Sequence, residues 1–207
     1  MTAGKFITFE GGEGSGKSTQ SRLLAERLTA LGHAVVVTRE PGGTPLGERI
    51  RELILTSRPA LEAEFLLFAA ARAEHVTKRI LPALAGGRWV VCDRYSDSTR
   101  VYQGVLAGVD IGFIDVVEAH TSRAATPDLT LVLDLPAATG RTRASARGDL
   151  NRYDAEHISY HERIRNGFLD IARREPDRCV VIDGSRGERD VSDSVWAAVS
   201  ARLGAGA

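Results

Sequence analysis

The chain has 207 residues, of which 43% are hydrophobic and 26% are charged, a composition typical of a globular protein and not of a disordered one. Lysine and arginine together number 27, and so do aspartate and glutamate, so the net charge is zero. We therefore do not expect a protein dedicated to nucleic acids or membrane surfaces. No apolar run approaches the roughly 20 residues of a membrane span, and the run near the N-terminus is too short for a secretory signal.

Five short apolar runs predict β-strands, and their near-continuous Val, Ile and Leu content is typical of strands buried on both faces. In chain order they cover residues 5–10, 34–38, 89–93, 129–134 and 179–183. Segments with helical spacing lie between them, so the sequence predicts an α/β fold with a parallel sheet. Ligands bind at the carboxyl ends of such strands, which makes Glu10, Asp93, Asp134 and Asp183 candidates. Asp183 is better explained as a turn former, because Gly184 and Ser185 follow it.

The two cysteines, Cys92 and Cys179, each lie in one of these apolar runs. We interpret both as reduced cysteines buried in strands, and not as part of a metal site. Reduced cysteines are typical of the cytosol, so we expect a cytoplasmic protein.

Residues 11–18 match the pattern G-x-x-x-x-G-K-[ST], which binds nucleotide phosphates when it joins a strand to a helix, as it does here. Glycines let backbone N–H groups point inward around a phosphate, and the helix N-terminus adds partial positive charge. Lys17 can reach the β- and γ-phosphates, and the Ser18 hydroxyl can ligate Mg²⁺. The predicted ATP-binding residues are Gly11, Gly12, Glu13, Gly14, Ser15, Gly16, Lys17, Ser18 and Thr19.

Three other classes of nucleotide-binding protein are not supported. The dinucleotide pattern G-x-G-x-x-G is absent, because the glycines fall at positions 11, 12, 14 and 16. Guanine-specific switches need an Asn-Lys-x-Asp base reader, and neither Asn151 nor Asn166 is followed by lysine. Motor ATPases usually carry an apolar run that ends in Asp-Glu, a pair that this chain lacks. A small phosphotransferase remains.

Charged residues after the second and third strands predict an anionic acceptor. Arg94 follows Asp93 at the end of the third strand, where it is well placed to hold an acceptor phosphate while Asp93 lies near the metal. Arg39 ends the second strand, and Arg51 lies one helix later. Glu13 is unusual in an anion-binding loop, because its charge repels a nucleotide unless it faces a cation, a hydroxyl or a second substrate.

Residues 141–152 form a distinct basic stretch. Asp149 is the only acidic residue in it, Gly148 interrupts it, and we interpret the stretch as a mobile basic loop between two helices. Folded over the nucleotide, it would supply guanidinium groups to the transferred phosphoryl group. The arginines expected to do this are Arg143, Arg147 and Arg152.

Six motifs resemble those of bacterial thymidylate kinases, in the same order, and the similarity covers residues 5 to 203. They are FEG at 9–11 with the phosphate loop, TREPGG at 38–43, LFAAAR at 67–72, DRY at 93–95, STRVYQG at 98–104 and RGDLNR at 147–152. The resemblance implies a three-layer P-loop kinase fold with a five-stranded parallel sheet, as a single domain over residues 1–207 with an arginine-rich lid at about 141–153. It implies Mg²⁺-dependent phosphorylation of dTMP to dTDP by ATP, in dTTP biosynthesis.

The same resemblance implies roles around the acceptor nucleoside. Phe68 stacks on thymine, Arg72 hydrogen-bonds its O4, and Thr99 and Gln103 read the base edge. Tyr102 packs under the deoxyribose and leaves no room for a 2′-hydroxyl. From spacing alone Phe68 would be a core residue and Tyr102 a half-buried tyrosine of no special role, and the resemblance reverses both interpretations.

At the phosphates, the resemblance places Arg39, Arg51 and Arg94 around the acceptor phosphate and links Glu13 to the sugar hydroxyl of the acceptor. Mg²⁺ is ligated by Ser18, with Asp93 acting on the ion through water. The predicted catalytic residues are Lys17, Arg94, Arg143, Arg147 and Arg152.

The expected partners are the small molecules dTMP and ATP, without nucleic acid or membrane. The resemblance implies a homodimer, and apolar residues on helices at 61–85 and 97–120 suggest where its interface lies. Two alternatives stay open: another nucleoside monophosphate or deoxynucleoside kinase, and a non-catalytic regulator that binds ATP. Arg51 and Arg94 argue against a nucleoside acceptor, which carries no phosphate. Lys17, Asp93 and the lid arginines argue against the regulator.

Overall fold

The computed structural model describes residues 4–122, 124–148, 153 and 156–206, and the side chain of Arg147 is not among the groups described. Within that part of the chain, five strands form a parallel sheet in the order β2-β3-β1-β4-β5. They are β1 (Phe6–Glu10), β2 (Val35–Arg39), β3 (Trp89–Asp93), β4 (Leu129–Asp134) and β5 (Cys179–Asp183). The predicted α/β architecture is confirmed, and β2 lies one residue further along the chain than predicted.

The central strand β1 is buried throughout, because it pairs with β3 on one side and β4 on the other. Thr8 and Thr130 face each other across β1 and β4, and their hydroxyls share a hydrogen bond of 2.7 Å that satisfies two buried polar groups. The outer strands β2 and β5 are partly exposed.

Helices cover both faces of the sheet. Leu24 and Leu28 of the first helix pack with Phe9, whereas Phe6, three residues earlier on β1, packs with Ile80 on the opposite face. None of the described helices is long and apolar enough to cross a bilayer. The helices are α1 (Lys17–Ala30), α2 (Pro45–Thr56), α3 (Leu61–His75), α4 (Leu81–Ala85), α5 (Ser96–Thr99), α6 (Ile111–Thr121), α7 (Ala137–Arg147), α8 (Ile158–Arg174) and α9 (Glu188–Leu203).

Two of these helices continue into wider π-helical stretches. Val76–Ile80 connects α3 to α4, and Arg100–Leu106 follows α5. Such turns are rare and frequently lie at functional sites, and the second stretch carries Tyr102 and Gln103. Gly104 comes next, and a Cβ there would lie 2.6 Å from a side-chain atom of α6, so glycine allows the two elements to pack closely.

The prediction of a basic loop over residues 141–152 is wrong for its first half. Residues up to Arg147 belong to α7, and Gly148 ends that helix with a φ of 78°. Alanine is the strongest helix former, and α7 contains four alanines, two of them between Arg143 and Arg147. Helix propensity therefore outweighs the charge density on which the prediction of a loop rested.

Candidate active site

The phosphate loop joins β1 to α1, and its shape depends on glycines. Gly11, Gly14 and Gly16 have φ angles of 137°, 69° and 94°, which favour glycine. A Cβ on Gly11 would lie 2.6 Å from the backbone oxygen of Leu133, so this glycine also allows the loop to approach β4. Thr19 is half-buried in the first turn of α1.

Lys17 is folded back onto the loop that precedes it. Its ammonium group donates to the backbone oxygens of Gly11 at 3.1 Å and Gly12 at 2.7 Å, and to the hydroxyl of Ser15 at 3.2 Å. Burial, together with the charge of Arg94, lowers the pKa of Lys17 to about 8. The ammonium group therefore lies where this type of loop binds phosphate.

Ser18 and Asp93 supply oxygen atoms beside the phosphate loop. The Ser18 hydroxyl donates a hydrogen bond to the Asp93 carboxylate, which brings the start of α1 to the end of β3. Among the described residues, no group of three or more His, Cys, Asp or Glu side chains could hold a metal ion. Mg²⁺ usually takes one or two protein oxygens and completes its coordination with phosphates and water. The donor set therefore fits a magnesium ion that binds together with a nucleotide.

Glu13 faces a cation and a hydroxyl, which answers the question raised by its place in the loop. Arg94 donates to its Oε1 at 2.7 Å and to the backbone oxygen of Gly11 at 3.1 Å, and the Tyr102 hydroxyl donates to the same Oε1 at 3.0 Å. Burial alone would raise the pKa of Glu13, but the charges of Arg94 and Lys17 outweigh it and hold the pKa at about 2. The negative charge of Glu13 is thus matched before any nucleotide binds.

A cavity opens beside this cluster, between α2, α3 and the π-helical stretch after α5. All the residues predicted to bind the acceptor line this cavity except Arg39. Arg39 lies in a neighbouring depression with Ser18 and Asp93, where it forms an ion pair with Glu48 at 2.9 Å. The cavity therefore brings together residues from separate sequence motifs. The lining residues that we did not predict are Glu40, Pro41, Leu55, Tyr95, Ser98 and Tyr153.

In the wall of the cavity, Arg72 is held by two buried carboxylates. Its guanidinium group donates to Glu40 at 2.8 Å, to Glu118 at 3.3 Å and to the Thr99 hydroxyl at 3.0 Å. Burial alone would lower the pKa of Arg72, but Glu40 and Glu118 raise it, so the side chain stays charged. Neither carboxylate was predicted as a site residue, although Glu40 lies within the motif at 38–43.

The buried side chain of His75 contacts three residues of the motif at 38–43, namely Thr38, Glu40 and Gly43. Its Nδ1 donates to Glu40 at 2.9 Å, since a carboxylate only accepts, and its Nε2 lies 2.7 Å from the Thr38 hydroxyl. A Cβ on Gly43 would lie 2.6 Å from Nε2, so only glycine fits there. The segment 38–43 therefore folds around this buried histidine and leaves the second oxygen of Glu40 for Arg72.

Two further predicted residues line the cavity walls. Phe68 packs on one side against the cluster of Ile50 and Ile54, and on the other it lines the cavity. Phe68 therefore belongs both to the hydrophobic core and to the wall of the cavity. Arg51 also lines the cavity and donates to the backbone oxygen of Pro41 at 3.1 Å.

The other acidic residues at strand ends have structural partners. Glu10 is buried and accepts hydrogen bonds from the backbone N–H of Tyr95 and from the Ser98 hydroxyl, each at 2.7 Å, so it holds the segment after β3. Asp134 pairs with an arginine of α8 through two hydrogen bonds. Asp183 accepts from the backbone two residues later, which confirms the turn.

The basic helix α7 begins directly against the phosphate loop. A Cβ on Gly14 would overlap the backbone oxygen of Gly140, and a Cβ on Gly140 would overlap the backbone oxygen of Glu13. Farther along α7, Arg143 donates to the backbone oxygen of Gly184 at 2.9 Å. Of the other two predicted lid arginines, Arg152 and the side chain of Arg147 lie outside the described residues.

Comparison with known proteins points to one family. The family model for thymidylate kinase matches residues 9–195. The thymidylate kinase of Caulobacter vibrioides is 51% identical over 99% of this chain and 100% of its own length. That of Deinococcus radiodurans is 47% identical over 98% of this chain and 99% of its own. The crystal structure of thymidylate kinase from Ehrlichia chaffeensis superposes with a TM-score of 0.78 at 37% identity, covering 95% of this chain and 99% of that one.

Proposed function

This chain belongs to the thymidylate kinase family and is therefore a nucleoside monophosphate kinase, and from that premise we propose that it transfers the γ-phosphoryl group of ATP to dTMP, giving dTDP for dTTP synthesis. The observation that carries the proposal is the position of Arg94, which bonds to Gly11 of the phosphate loop and to Glu13 at the cavity. A donor on the loop and an acceptor in the cavity would meet at this guanidinium group.

The donor side uses residues 11–19. Lys17 would exchange its backbone partners for the β- and γ-phosphates, because a hydrogen bond between two charged groups is about twice as strong as one with a neutral partner. The Ser18 hydroxyl, with Asp93 acting through water, would hold Mg²⁺, which would supply charge neutralisation to the terminal phosphates.

Recognition of the acceptor nucleotide is inferred from the hydrogen-bonding groups of the cavity that have no partner among the described residues. A guanidinium group has five N–H groups, and the contacts of Arg72 with Glu40, Glu118 and Thr99 use three of them. The remaining donors match the carbonyl O4 of thymine. Phe68 would provide the face on which the base stacks, and Tyr102 the surface beneath the deoxyribose.

The chemical step needs no general base, because the attacking oxygen already belongs to an ionised phosphate. Positioning and charge neutralisation therefore account for the catalysis. We assign the acceptor phosphate to Arg94 and Arg51, with Arg39 nearby. We assign the transferred group to a lid at about 141–153 within a single domain over residues 1–207, with Arg143, Arg147 and Arg152 supplying the guanidinium groups. The start of α7 against the phosphate loop supports this assignment.

A coupled ADP-release assay tests the proposal with dTMP, dUMP, UMP, dCMP and thymidine as acceptors. We expect the highest kcat/KM for dTMP and negligible turnover of thymidine, which lacks the phosphate that Arg51 and Arg94 would hold. Equal activity with thymidine would contradict the assigned phosphate site, and hydrolysis of ATP without any acceptor dependence would contradict the proposed reaction.

We also propose a homodimer that forms through the outer faces of α3 and α6, which pack against each other. Leu66 on α3, and Ile111 and Val116 on α6, are large apolar residues left exposed. Sedimentation of the wild-type chain and of Val116→Glu tests this, with a shift to monomer expected for the variant. The two buried, unpaired cysteines support the proposed cytoplasmic location.

A further inference from the structure

A buried carboxylate to which the proposed reaction assigns no role lies behind the base end of the cavity. Glu64 of α3 is 9% exposed, and its Oε1 accepts hydrogen bonds from Gln103 Nε2 at 3.0 Å and from the Tyr153 hydroxyl at 3.1 Å. A buried carboxylate is costly unless donors match it, and these two contacts supply such donors. Gln103, itself only 2% exposed, is thereby tied to a fixed partner while it lines the cavity.

The chemistry of this contact decides which end of the Gln103 amide faces away from Glu64. An amide carries a donor and an acceptor that can exchange places by rotation, but a carboxylate only accepts. The NH₂ group must therefore turn toward Glu64, and the carbonyl oxygen turns away from it. Among the described residues, none donates a hydrogen bond to that oxygen, which leaves it available in the wall of the cavity.

We propose that Glu64 is a positioning residue that presents the carbonyl oxygen of Gln103 to the base as an acceptor and so selects pyrimidines that carry an N3–H. The proposal rests on the proposed dTMP kinase function. Thymine and uracil have this N–H, whereas cytosine has a lone pair at N3. Cytosine would thus set one acceptor against another in a buried site, and unsatisfied buried groups are penalised.

The same carboxylate oxygen connects the base end to the segment between α7 and α8. Tyr153 belongs to that segment, and its ring packs edge-on against Tyr102 with 5.6 Å between ring centroids. Glu64 Oε1 therefore accepts hydrogen bonds both from Gln103, which is proposed to contact the base, and from Tyr153, which lies in the proposed lid.

The Glu64→Gln variant tests the proposal, because glutamine has nearly the same size but can also donate, which frees the Gln103 amide to rotate. The measurement is kcat/KM for dTMP, dUMP and dCMP. We expect the preference for dTMP over dCMP to fall about tenfold, while the dTMP to dUMP ratio stays constant because both bases carry the N3–H. A uniform fall for all three acceptors, with both ratios preserved, would show a merely structural role and overturn the proposal.

Glu62→Gln is the matched control, since Glu62 is exposed on the same helix, and it should keep both ratios. The kinase function and the role of Glu64 can be contradicted separately. A wild-type protein inactive on dTMP would contradict the proposed function. An active wild type whose dTMP to dCMP preference survives in Glu64→Gln would contradict only the role of Glu64.

A measurement on the wild-type protein keeps the proposal testable if Glu64→Gln does not fold. The side-chain NH₂ signals of Gln103 can be assigned in ¹⁵N spectra by their loss in Gln103→Met. We expect one of these protons to be protected from solvent exchange, both alone and with dTMP bound, because it stays on Glu64. Loss of that protection on binding dTMP would mean that the amide turns to donate to the base, and would overturn the proposal.

Discussion

The arginines that we assign to the base and those that we assign to the acceptor phosphate are, with the exception of Arg94, held in opposite ways. At the base end, Arg72 is 2% exposed and is bonded to two carboxylates, Glu40 and Glu118, that are themselves buried. At the proposed phosphate end, Arg51 donates to a backbone oxygen, and in the neighbouring depression the ion pair of Arg39 is open to solvent. The proposed base end is thus fixed before a substrate arrives. Arg51 and Arg39 have weak partners that a phosphate can replace, whereas Arg94, also assigned to the acceptor phosphate, is paired with the charged Glu13.

This difference predicts which property each end controls. Breaking a buried ion pair leaves an uncompensated charge, so substitutions at the base end should reduce stability and selectivity. Exposed ion pairs contribute little to stability, so substitutions at the phosphate end should change turnover while the fold is retained.

The largest effect is expected from the proposed lid arginines, which we assign to the transferred phosphoryl group. The triple alanine variant of Arg143, Arg147 and Arg152 should lower kcat by about 10³-fold or more, as for other guanidinium groups that stabilise phosphoryl transfer. Binding of dTMP without ATP should barely change. The coupled assay measures turnover, and calorimetric titration measures the binding of dTMP. Near-normal turnover of the triple variant would contradict the assignment.

A matched pair of substitutions tests the two ends against each other. Glu40→Gln removes a buried charge from Arg72 and should lower the free energy of unfolding by about 3 kcal/mol. Glu48→Gln removes the exposed partner of Arg39 and should cost about 1 kcal/mol or less. Urea denaturation measures the free energy of unfolding of both variants. Equal losses would show that the ion pairs of Arg72 and Arg39 do not differ in their contribution to stability.

The pH dependence of stability should show the pairing of Glu13 with Arg94. The folded-state pKa of Glu13 is about 2, below its ordinary value, so its contribution is present above about pH 5 and is lost as the pH falls toward 2. The difference in stability between wild type and Glu13→Gln should therefore shrink by about 2 kcal/mol between pH 6 and pH 3. An unchanged difference across this range would show that the carboxylate is not held in its charged form.

The smallest effect is expected at the sugar. Tyr102→Phe removes the hydrogen bond to Glu13 but keeps the ring, so KM for dTMP should rise only severalfold and the preference for dUMP over UMP should persist. Tyr102→Ala should relax that preference because the ring is gone. Equal turnover of UMP and dUMP by the wild-type protein would contradict the assignment.

Local patterns made much of this molecule predictable. A strand buried on both faces has a continuous apolar run, and the phosphate loop has a fixed spacing at a strand–helix junction, so the sheet and Lys17 with its glycines could be placed directly. The resemblance added the cavity residues one by one, and all but Arg39 line the same cavity.

The supporting partners could not be read from the sequence, because they meet across long stretches of chain. Glu40 and Arg72 are 32 positions apart, Arg72 and Glu118 are 46 apart, and Glu64 and Gln103 are 39 apart. No local pattern marks a carboxylate that will be buried against such a partner. In α7, by contrast, the four alanines are a local signal for a helix, and the prediction of a loop gave more weight to the density of arginine.

The backbone contact between Gly14 and Gly140 limits the routes by which this sequence can diverge. A methyl group at either position would overlap the backbone of the other segment, and a backbone cannot rotate aside as a side chain can. No compensating change exists at the opposite position, because glycine is already the smallest residue. Both positions are therefore closed to stepwise substitution, and the start of α7 keeps its place on the phosphate loop.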